Sequence, residues 1–164
     1  MHKIKLFLLI AVSTILSGCV SGTAKYTGIS FPATPDSEIV FQESDIPDTC
    51  SAFAHLQMTT KENSTGQEIS TAIKKEAELR GADLILIGLS RENESNLDEN
   101  LFAYHGPKYS YNFNKTWLGW KFGFDAWNDA GPLVGLGSNN LGNSEVSFKN
   151  SLMVQAVFLR CSDR

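Results

Sequence analysis

The stretch that decides the fold is TGQEISTAIKKEAELRGADLILIGL, residues 65–89. Its first part repeats apolar residues at a spacing of 3.6, which predicts a helix with one stripe facing a core. Thr65 and Glu68 have the spacing of a capping box, and Gly81 is the residue type that ends a helix in the left-handed conformation. Residues 82–89 (ADLILIGL) then form an unbroken apolar run, which predicts a central strand buried on both faces.

Three further strands are predicted around this unit. Residues 38–43 (EIVFQE) predict a short strand, residues 50–60 alternate like a half-buried strand, and residues 146–160 predict a final strand. The order strand, helix, strand predicts a right-handed crossover between the parallel strands at 50–60 and 82–89. We therefore expect an α+β fold. The expected fold has a small mixed four-stranded sheet, one main helix on one face of it and a long aromatic insertion before the last strand.

The N-terminus has the parts of an export signal. A cationic lead with Lys3 and Lys5 precedes a short apolar run and small residues. The run is too short for the roughly 20 residues that span a bilayer, so it predicts a signal peptide over residues 1–18. Leu16-Ser17-Gly18-Cys19 resembles the lipobox of bacterial lipoproteins, which implies that Cys19 is lipidated after export. The alternative is an ordinary signal with a cysteine there by chance.

The lipobox resemblance also implies a location. Two or more acyl chains anchor a protein stably, so Cys19 would hold the chain at a membrane through its lipid. Val20 stands where an Asp would imply retention at the inner membrane, so the resemblance implies the outer membrane, with the domain facing the periplasm. Residues 19–36 are rich in Ser, Gly, Thr and Pro and predict a flexible tether. Residues 37–164 predict a single α/β periplasmic domain.

The charge of the chain restricts its partners. The formal net charge is −4, and it becomes more negative once the signal and its two lysines are removed. Nucleic acids and anionic headgroups are bound by clustered Lys and Arg, so this balance argues against both.

The remaining cysteines, Cys50 and Cys161, form an even pair in an exported protein, which predicts a disulfide. A metal pair or a redox-active thiol lacks support because there is no C-x-x-C motif and no His or second Cys at ligand spacing. A bridge requires Cα atoms within about 7 Å, so the last strand should lie antiparallel beside the strand at 50–60. The expected strand order is 38–43, 82–89, 50–60, 146–160.

The stretch from Cys50 to Leu89 resembles the RcsF-like group of small envelope lipoproteins. A cysteine-led strand, a helix, the turn Gly81-Ala82-Asp83 and an apolar strand carry the similarity. The resemblance implies a tethered α/β domain whose cysteine bridges pin the sheet. This chain has fewer domain cysteines and a shorter tether than that group, and it adds the aromatic insertion. The resemblance therefore implies a fold, not the same signalling role.

The insertion, residues 91–145, contains the main functional candidate. It begins with a polar, acidic stretch that predicts an exposed loop, and its middle part is dense in aromatic residues. One hypothesis is a hairpin that packs over the open sheet face and covers residues 82–89. The other is an exposed surface for an envelope protein or a glycan, because Tyr and Trp are favoured at binding hot spots. The candidate binding surface consists of Tyr109, Tyr111, Trp117, Trp120 and Trp127.

No catalytic, metal or cofactor constellation is predicted. Gly135 and Gly137 with the neighbouring asparagines lack the strand-to-helix context of a phosphate loop. Asp125, Asn128 and Asp129 lack the spacing of a calcium loop. His55 is expected to be buried or hydrogen-bonded within its strand, and His105 to lie in a His-Gly-Pro turn.

Two functional hypotheses follow. The first is a lipid-anchored envelope protein with a non-enzymatic binding, sensing or structural role. The alternative is a carbohydrate- or peptidoglycan-acting enzyme that uses Asp125 or Asp129 beside the aromatic platform, which requires two carboxyl groups at a workable separation.

Overall fold

A computed structural model of the chain describes residues 31–95, 98–112, 127 and 129–162. The predicted signal peptide, Cys19 and the first part of the predicted tether lie outside these residues. The described part contains the strands β1 (Glu38–Val40), β2 (Cys50–Thr59), β3 (Ser64–Thr65), β4 (Leu84–Glu92), β5 (Leu101–Tyr109), β6 (Leu133–Val134), β7 (Ser147–Phe148) and β8 (Leu152–Cys161), the helix α1 (Gly66–Leu79) and a 3-10 turn at Glu43–Asp45. None of its helices is long and apolar enough to cross a membrane.

The fold is a mixed α+β arrangement with one large sheet and one α-helix, as the sequence predicts at that level. The large sheet has six strands, not four. Five of them follow the order β1-β4-β8-β2-β5, and β6 pairs with the far end of β4. β3 and β7 pair in a separate two-stranded sheet. The final strand predicted at 146–160 is therefore divided into β7 and β8. The expected number of strands was wrong because the insertion contributes β5 and β6 to the sheet.

The predicted strand order was wrong at one position. The two parallel strands of the crossover, β2 and β4, are not neighbours, because β8 lies between them and pairs antiparallel with both. The predicted pairing of β1 with β4 and the antiparallel pairing of β2 with β8 are both confirmed. β8 is buried along almost its whole length, and its observed position gives it a hydrogen-bonded neighbour on each side, whereas the predicted order left it at the edge of the sheet.

The helix α1 packs on one face of this sheet. Ile69, Ile73 and Ala77 are fully buried in one cluster with the inward side chains of β2, β4 and β8. The predicted capping box is confirmed, because Thr65 accepts a hydrogen bond from the Glu68 amide and the Glu68 side chain bonds back to the Thr65 amide. Gly81 has φ +75°, so it ends the helix as predicted.

The opposite face of the sheet carries a second apolar cluster. Leu84 and Leu86 of β4 belong to it, whereas Ile85 and Ile87 belong to the cluster under α1. This alternation confirms that β4 is buried on both faces. In β2 the register shifts between Ala52 and Ala54. Ala52 therefore joins the second cluster while Ala54 faces the helix, although strict alternation of residues 50–60 would put both on one face.

The predicted disulfide between Cys50 and Cys161 is confirmed. The two cysteines are direct partners in the antiparallel register of β2 and β8, with their Cα atoms 3.9 Å apart. The bridge joins residues 111 positions apart in the sequence and lies at the end of the sheet where β2 begins and β8 ends.

The described end of the predicted tether packs against the domain. The Phe31 ring lies 5.0 Å from the Phe53 ring in an edge contact. The amide of Thr34 donates to the carbonyl of Glu78, and the Thr34 hydroxyl donates to the carbonyl of Ala82. These contacts show that domain packing begins before residue 37.

The turn Gly81-Ala82-Asp83 ties the helix to the disulfide-bearing end of β8. Asp83 is buried, and its carboxylate accepts a hydrogen bond of 2.9 Å from the amide of Cys161. Arg160 forms an ion pair of 3.5 Å with the same carboxylate and donates to the carbonyl of Gly81. The motif that carries the family resemblance therefore has a structural role here.

Replacing Asp83 by Ala should lower the free energy of unfolding by about 2 kcal/mol, because it leaves the buried amide of Cys161 without an acceptor. Urea unfolding of the two proteins measures the loss. Asp36→Ala is the matched control. The Asp36 side chain is 83% exposed, and its ion pair with Lys74 is long at 3.8 Å, so this substitution should change the free energy of unfolding by less than about 0.5 kcal/mol. Equal midpoints for wild type and Asp83→Ala would contradict the role of this turn.

Candidate functional site

Two histidines meet on the sheet face away from α1. His55 lies between Ala54 and Leu56, both of which pack under the helix, so its side chain points to the other face. Its partner in the β5 register is Ala103, and His105 follows two residues later on the same face. The two rings therefore come together although 50 positions separate them. Nδ1 of His55 lies 2.7 Å from Nε2 of His105, so one imidazole donates a hydrogen bond to the other.

Two tyrosines enclose the imidazole pair. The Tyr109 ring stacks on His105 with centroids 4.6 Å apart and planes at 23°. The Tyr111 ring lies 5.3 Å from the His55 ring. Both tyrosines are half-buried against the second apolar cluster. We call the surface formed by His55, His105, Tyr109 and Tyr111 the histidine face.

Burial sets the protonation of the imidazole pair. His55 is fully buried, and its removal from water lowers its pKa to about 3, with a smaller contribution from the neighbouring His105. His105 is half-exposed, and partial burial lowers its pKa as well. Both rings are therefore neutral at pH 7, so the N–H of one ring donates to the lone pair of the other.

Two glutamines extend this polar patch into the sheet. Gln57 follows His55 on the same face of β2, and its register partner in β8 is Gln155. Both side chains are only 1% exposed, and the carbonyl oxygen of each is buried without a hydrogen-bond partner. Buried carbonyls normally accept hydrogen bonds, so two unpaired ones beside each other mark an acceptor-rich region.

The predicted binding residues are placed differently by the structure. Tyr109 and Tyr111 lie together, with ring centroids 6.2 Å apart, and form part of the histidine face. Trp127 is 7% exposed, and the Arg91 guanidinium lies 5.5 Å from the centre of its ring. The ring is therefore packed against the domain in the described structure, and its role in binding stays a prediction. Trp117 and Trp120 lie outside the described residues.

The described part of the insertion adds two strands to the sheet, β5 and β6. β5 extends the sheet beside β2, and its side chains divide between the two faces. Phe102 and Tyr104 pack against the cluster under the helix, whereas Tyr109 packs against the other. The aromatic residues of the predicted hairpin lie mostly after β5 and outside the described residues, so its packing over residues 82–89 stays a prediction.

Two other expectations concern polar motifs. His105 belongs to β5 and not to an isolated turn, although Gly106 after it has φ +114° where the register is irregular. Asp129 is exposed, and Asp125 and Asn128 lie outside the described residues. Within the described part of the chain, no group of three or more His, Cys, Asp or Glu residues is placed to hold a metal ion.

The histidine pair is the feature that sequence reasoning missed. The alternation of residues 50–60 puts His55 on the face opposite Leu56, but nothing local links it to His105. Only the pairing of β5 with β2 joins them. The tyrosines on either side of His105, Tyr104 and Tyr109, are residues favoured in strands, and they were the local signal that His105 belongs to one.

Comparison with known proteins finds no match among protein families, curated proteins or solved structures.

The buried histidine predicts a pH dependence of stability. The unfolded chain takes up a proton on His55 near pH 6.5, whereas the folded chain does so only near pH 3. The unfolded state therefore binds more protons in this window, and the free energy of unfolding should fall as pH decreases. We expect a loss of about 2 kcal/mol between pH 7 and pH 5 from this residue. Urea unfolding at the two pH values measures it.

The matched variant for this measurement is His55→Gln, which removes the titrating group and keeps a polar side chain. Its loss of stability between pH 7 and pH 5 should be smaller than that of the wild type by about 2 kcal/mol. Parallel losses in both proteins would show that His55 is protonated readily in the folded state.

Proposed function

We propose that this chain is a lipid-anchored envelope protein whose domain binds a ligand or partner without catalysing a reaction, through the histidine face. The observation that carries the proposal is the hydrogen-bonded pair of His55 and His105, enclosed by two tyrosines on the sheet face away from the helix. Polar groups held in an otherwise apolar region cost stability unless they are paired, and titratable groups perturbed by burial cluster at functional sites.

The proposed anchor rests on the lipobox-like Leu16-Ser17-Gly18-Cys19. A lipid on Cys19 would keep the domain at a membrane surface by more than one acyl chain, which gives stable attachment. The short stretch between Cys19 and the packed Phe31 would then keep the domain close to that surface. Together with Val20, this supports an outer-membrane location facing the periplasm.

Tyrosines at the histidine face support a binding role. Tyr109 and Tyr111 offer rigid rings with a polar hydroxyl, the residue type enriched at interface hot spots. Both are half-buried in the domain, so a partner would contact rings whose orientation is already set by packing. The acidic net charge favours partners that are cationic or neutral.

The anchor is tested by changing Cys19 to Ala in the organism that makes the protein. We expect the variant to lose the lipid and to shift from the membrane fraction to an unprocessed or soluble form, because the acyl chains have no other attachment point. Membrane fractionation and mass spectrometry of the N-terminal peptide measure the change. Ser21→Ala, two residues further on, should behave like the wild type. Unchanged processing of Cys19→Ala would refute the lipoprotein proposal.

The binding surface is tested by a photo-crosslinking amino acid at Tyr111 in intact cells. Partners of the histidine face should be captured from this position and identified by mass spectrometry. The same amino acid at Lys75, an exposed residue of α1, is the matched control and should capture none of them. Identical capture from both positions would mean that the histidine face has no special role in binding.

A further inference from the structure

We propose that His55 and His105 form a binding site for a divalent transition-metal ion, Cu²⁺ or Zn²⁺, held between Nδ1 of His55 and Nε2 of His105. The inference rests on the proposed binding role of the histidine face and names the ligand class. Imidazole nitrogen is a preferred donor for both ions, and Cu²⁺ binds such sites more tightly than other divalent first-row metals.

The separation of the two nitrogens is the first argument. They lie 2.7 Å apart, too close for an organic group to fit between them. Zinc–nitrogen bonds are about 2.0–2.1 Å long, so two nitrogens bound to one ion lie about 2.9 Å apart at a 90° angle and about 3.3 Å apart at the tetrahedral angle. An ion can therefore replace the shared proton after the rings separate by a few tenths of an ångström.

The second argument is the way the rings are held. His55 and His105 lie on adjacent hydrogen-bonded strands, and the stacked Tyr109 and the tilted Tyr111 limit the rotation of their rings. Ligands fixed by packing on regular elements lose little conformational freedom when an ion binds. The face thus supplies two donors that are already oriented.

Electrostatics favour the same ligand class. The two buried carbonyl oxygens of Gln57 and Gln155 add electron-rich atoms to the same face. The net negative charge of the chain attracts cations in general.

The site has two imidazole ligands from the described residues. No further His, Cys, Asp or Glu in this part of the chain completes a group of three, so solvent takes the remaining positions of the ion. His105 is partly exposed and His55 is buried, so solvent ligands would reach the ion from the side of His105. Such a site leaves coordination positions open, which suits reversible binding or sensing of a metal rather than a closed structural site.

The test is a titration of the full-length, tag-free chain in detergent with CuSO₄ and ZnCl₂, measured by calorimetry and, for copper, by electron paramagnetic resonance. We expect one Cu²⁺ per chain with nitrogen hyperfine coupling from two imidazoles, weaker binding of Zn²⁺, and no binding of CaCl₂, because Ca²⁺ prefers oxygen ligands. His105→Ala should weaken Cu²⁺ binding by at least about 100-fold, since losing even an outer-shell partner costs 10–100-fold.

The variants separate metal binding from folding. His105 is half-exposed on the outer strand, so circular dichroism and urea unfolding should show that His105→Ala remains folded. Lys75→Ala, at an exposed position of α1, changes no imidazole and should leave the affinity unchanged. Absence of Cu²⁺ binding by the wild type, or equal binding by folded His105→Ala, would overturn the metal site.

The outcome also separates this inference from the proposed function. Partner capture from Tyr111 without Cu²⁺ binding would overturn the metal site and leave the binding surface intact. Cu²⁺ binding that is lost in His105→Ala, with no partner captured from Tyr111, would support the metal site and overturn only the macromolecular partner.

Discussion

Removing the Cys50–Cys161 disulfide should lower the free energy of unfolding by about 4–5 kcal/mol. The bridge joins residues 111 positions apart, and closing a loop of that length restricts the unfolded chain strongly in the chain-entropy description. Single domains are stable by only about 5–15 kcal/mol in total, so the reduced protein should be close to unfolding at physiological temperature. The double variant Cys50→Ala, Cys161→Ala, unfolded in urea beside the oxidised wild type, measures the loss.

Two comparisons make this measurement specific. A reducing agent should destabilise the wild type by a similar amount and leave the double variant unchanged, because the variant has no bridge to lose. The cysteines are register partners at the end of β2 and β8, so the variant should keep the strand pairing and its circular dichroism spectrum. A loss below about 1 kcal/mol would show that the strands hold this end of the sheet together without the bridge.

Replacing Gly66 by Ala should destabilise the domain by about 3 kcal/mol, at the upper end of the range for overpacked sites. Gly66 is the first residue of α1 and is buried against the loop of residues 135–143. A Cβ atom there would lie 1.8 Å from the carbonyl oxygen of Asn140, which is backbone and cannot turn aside. The loop would have to move away, and the buried Leu141 within it would lose its packing under the helix.

The same loop provides the control for this prediction. Gly137 has open space around the position of a Cβ atom, so Gly137→Ala should change stability by less than about 0.5 kcal/mol. The Asn140 side chain holds the loop in shape by accepting from the Gly137 amide and donating to the carbonyl of Gly135. Urea midpoints of the two glycine variants are the measurement. A Gly66→Ala protein as stable as the wild type would contradict the docking of this loop on the helix.

Local features of the sequence predicted the single elements well. The capping box at Thr65 and Glu68 and the stop at Gly81 define the helix, because each satisfies or releases backbone groups within one turn of the chain. The apolar run after Gly81 predicted a strand buried on both sides, and the pair of cysteines predicted the bridge. These features depend on neighbours in the sequence or on residue type alone.

The way in which those elements combine depends on contacts between distant parts of the chain. β8 lies between β2 and β4 because an antiparallel strand can pair with both parallel strands at once, which no local pattern of residues 146–160 reveals. The pairing of β5 with β2 then brings His105 to His55, and the docked loop explains why residue 66 must be glycine. Each of these contacts joins parts of the chain far apart in sequence. Their energies come from strand pairing and close packing in the folded domain, whereas the sequence patterns predicted the helix with its two ends, the doubly buried strand β4 and the disulfide, each from neighbouring residues or residue type.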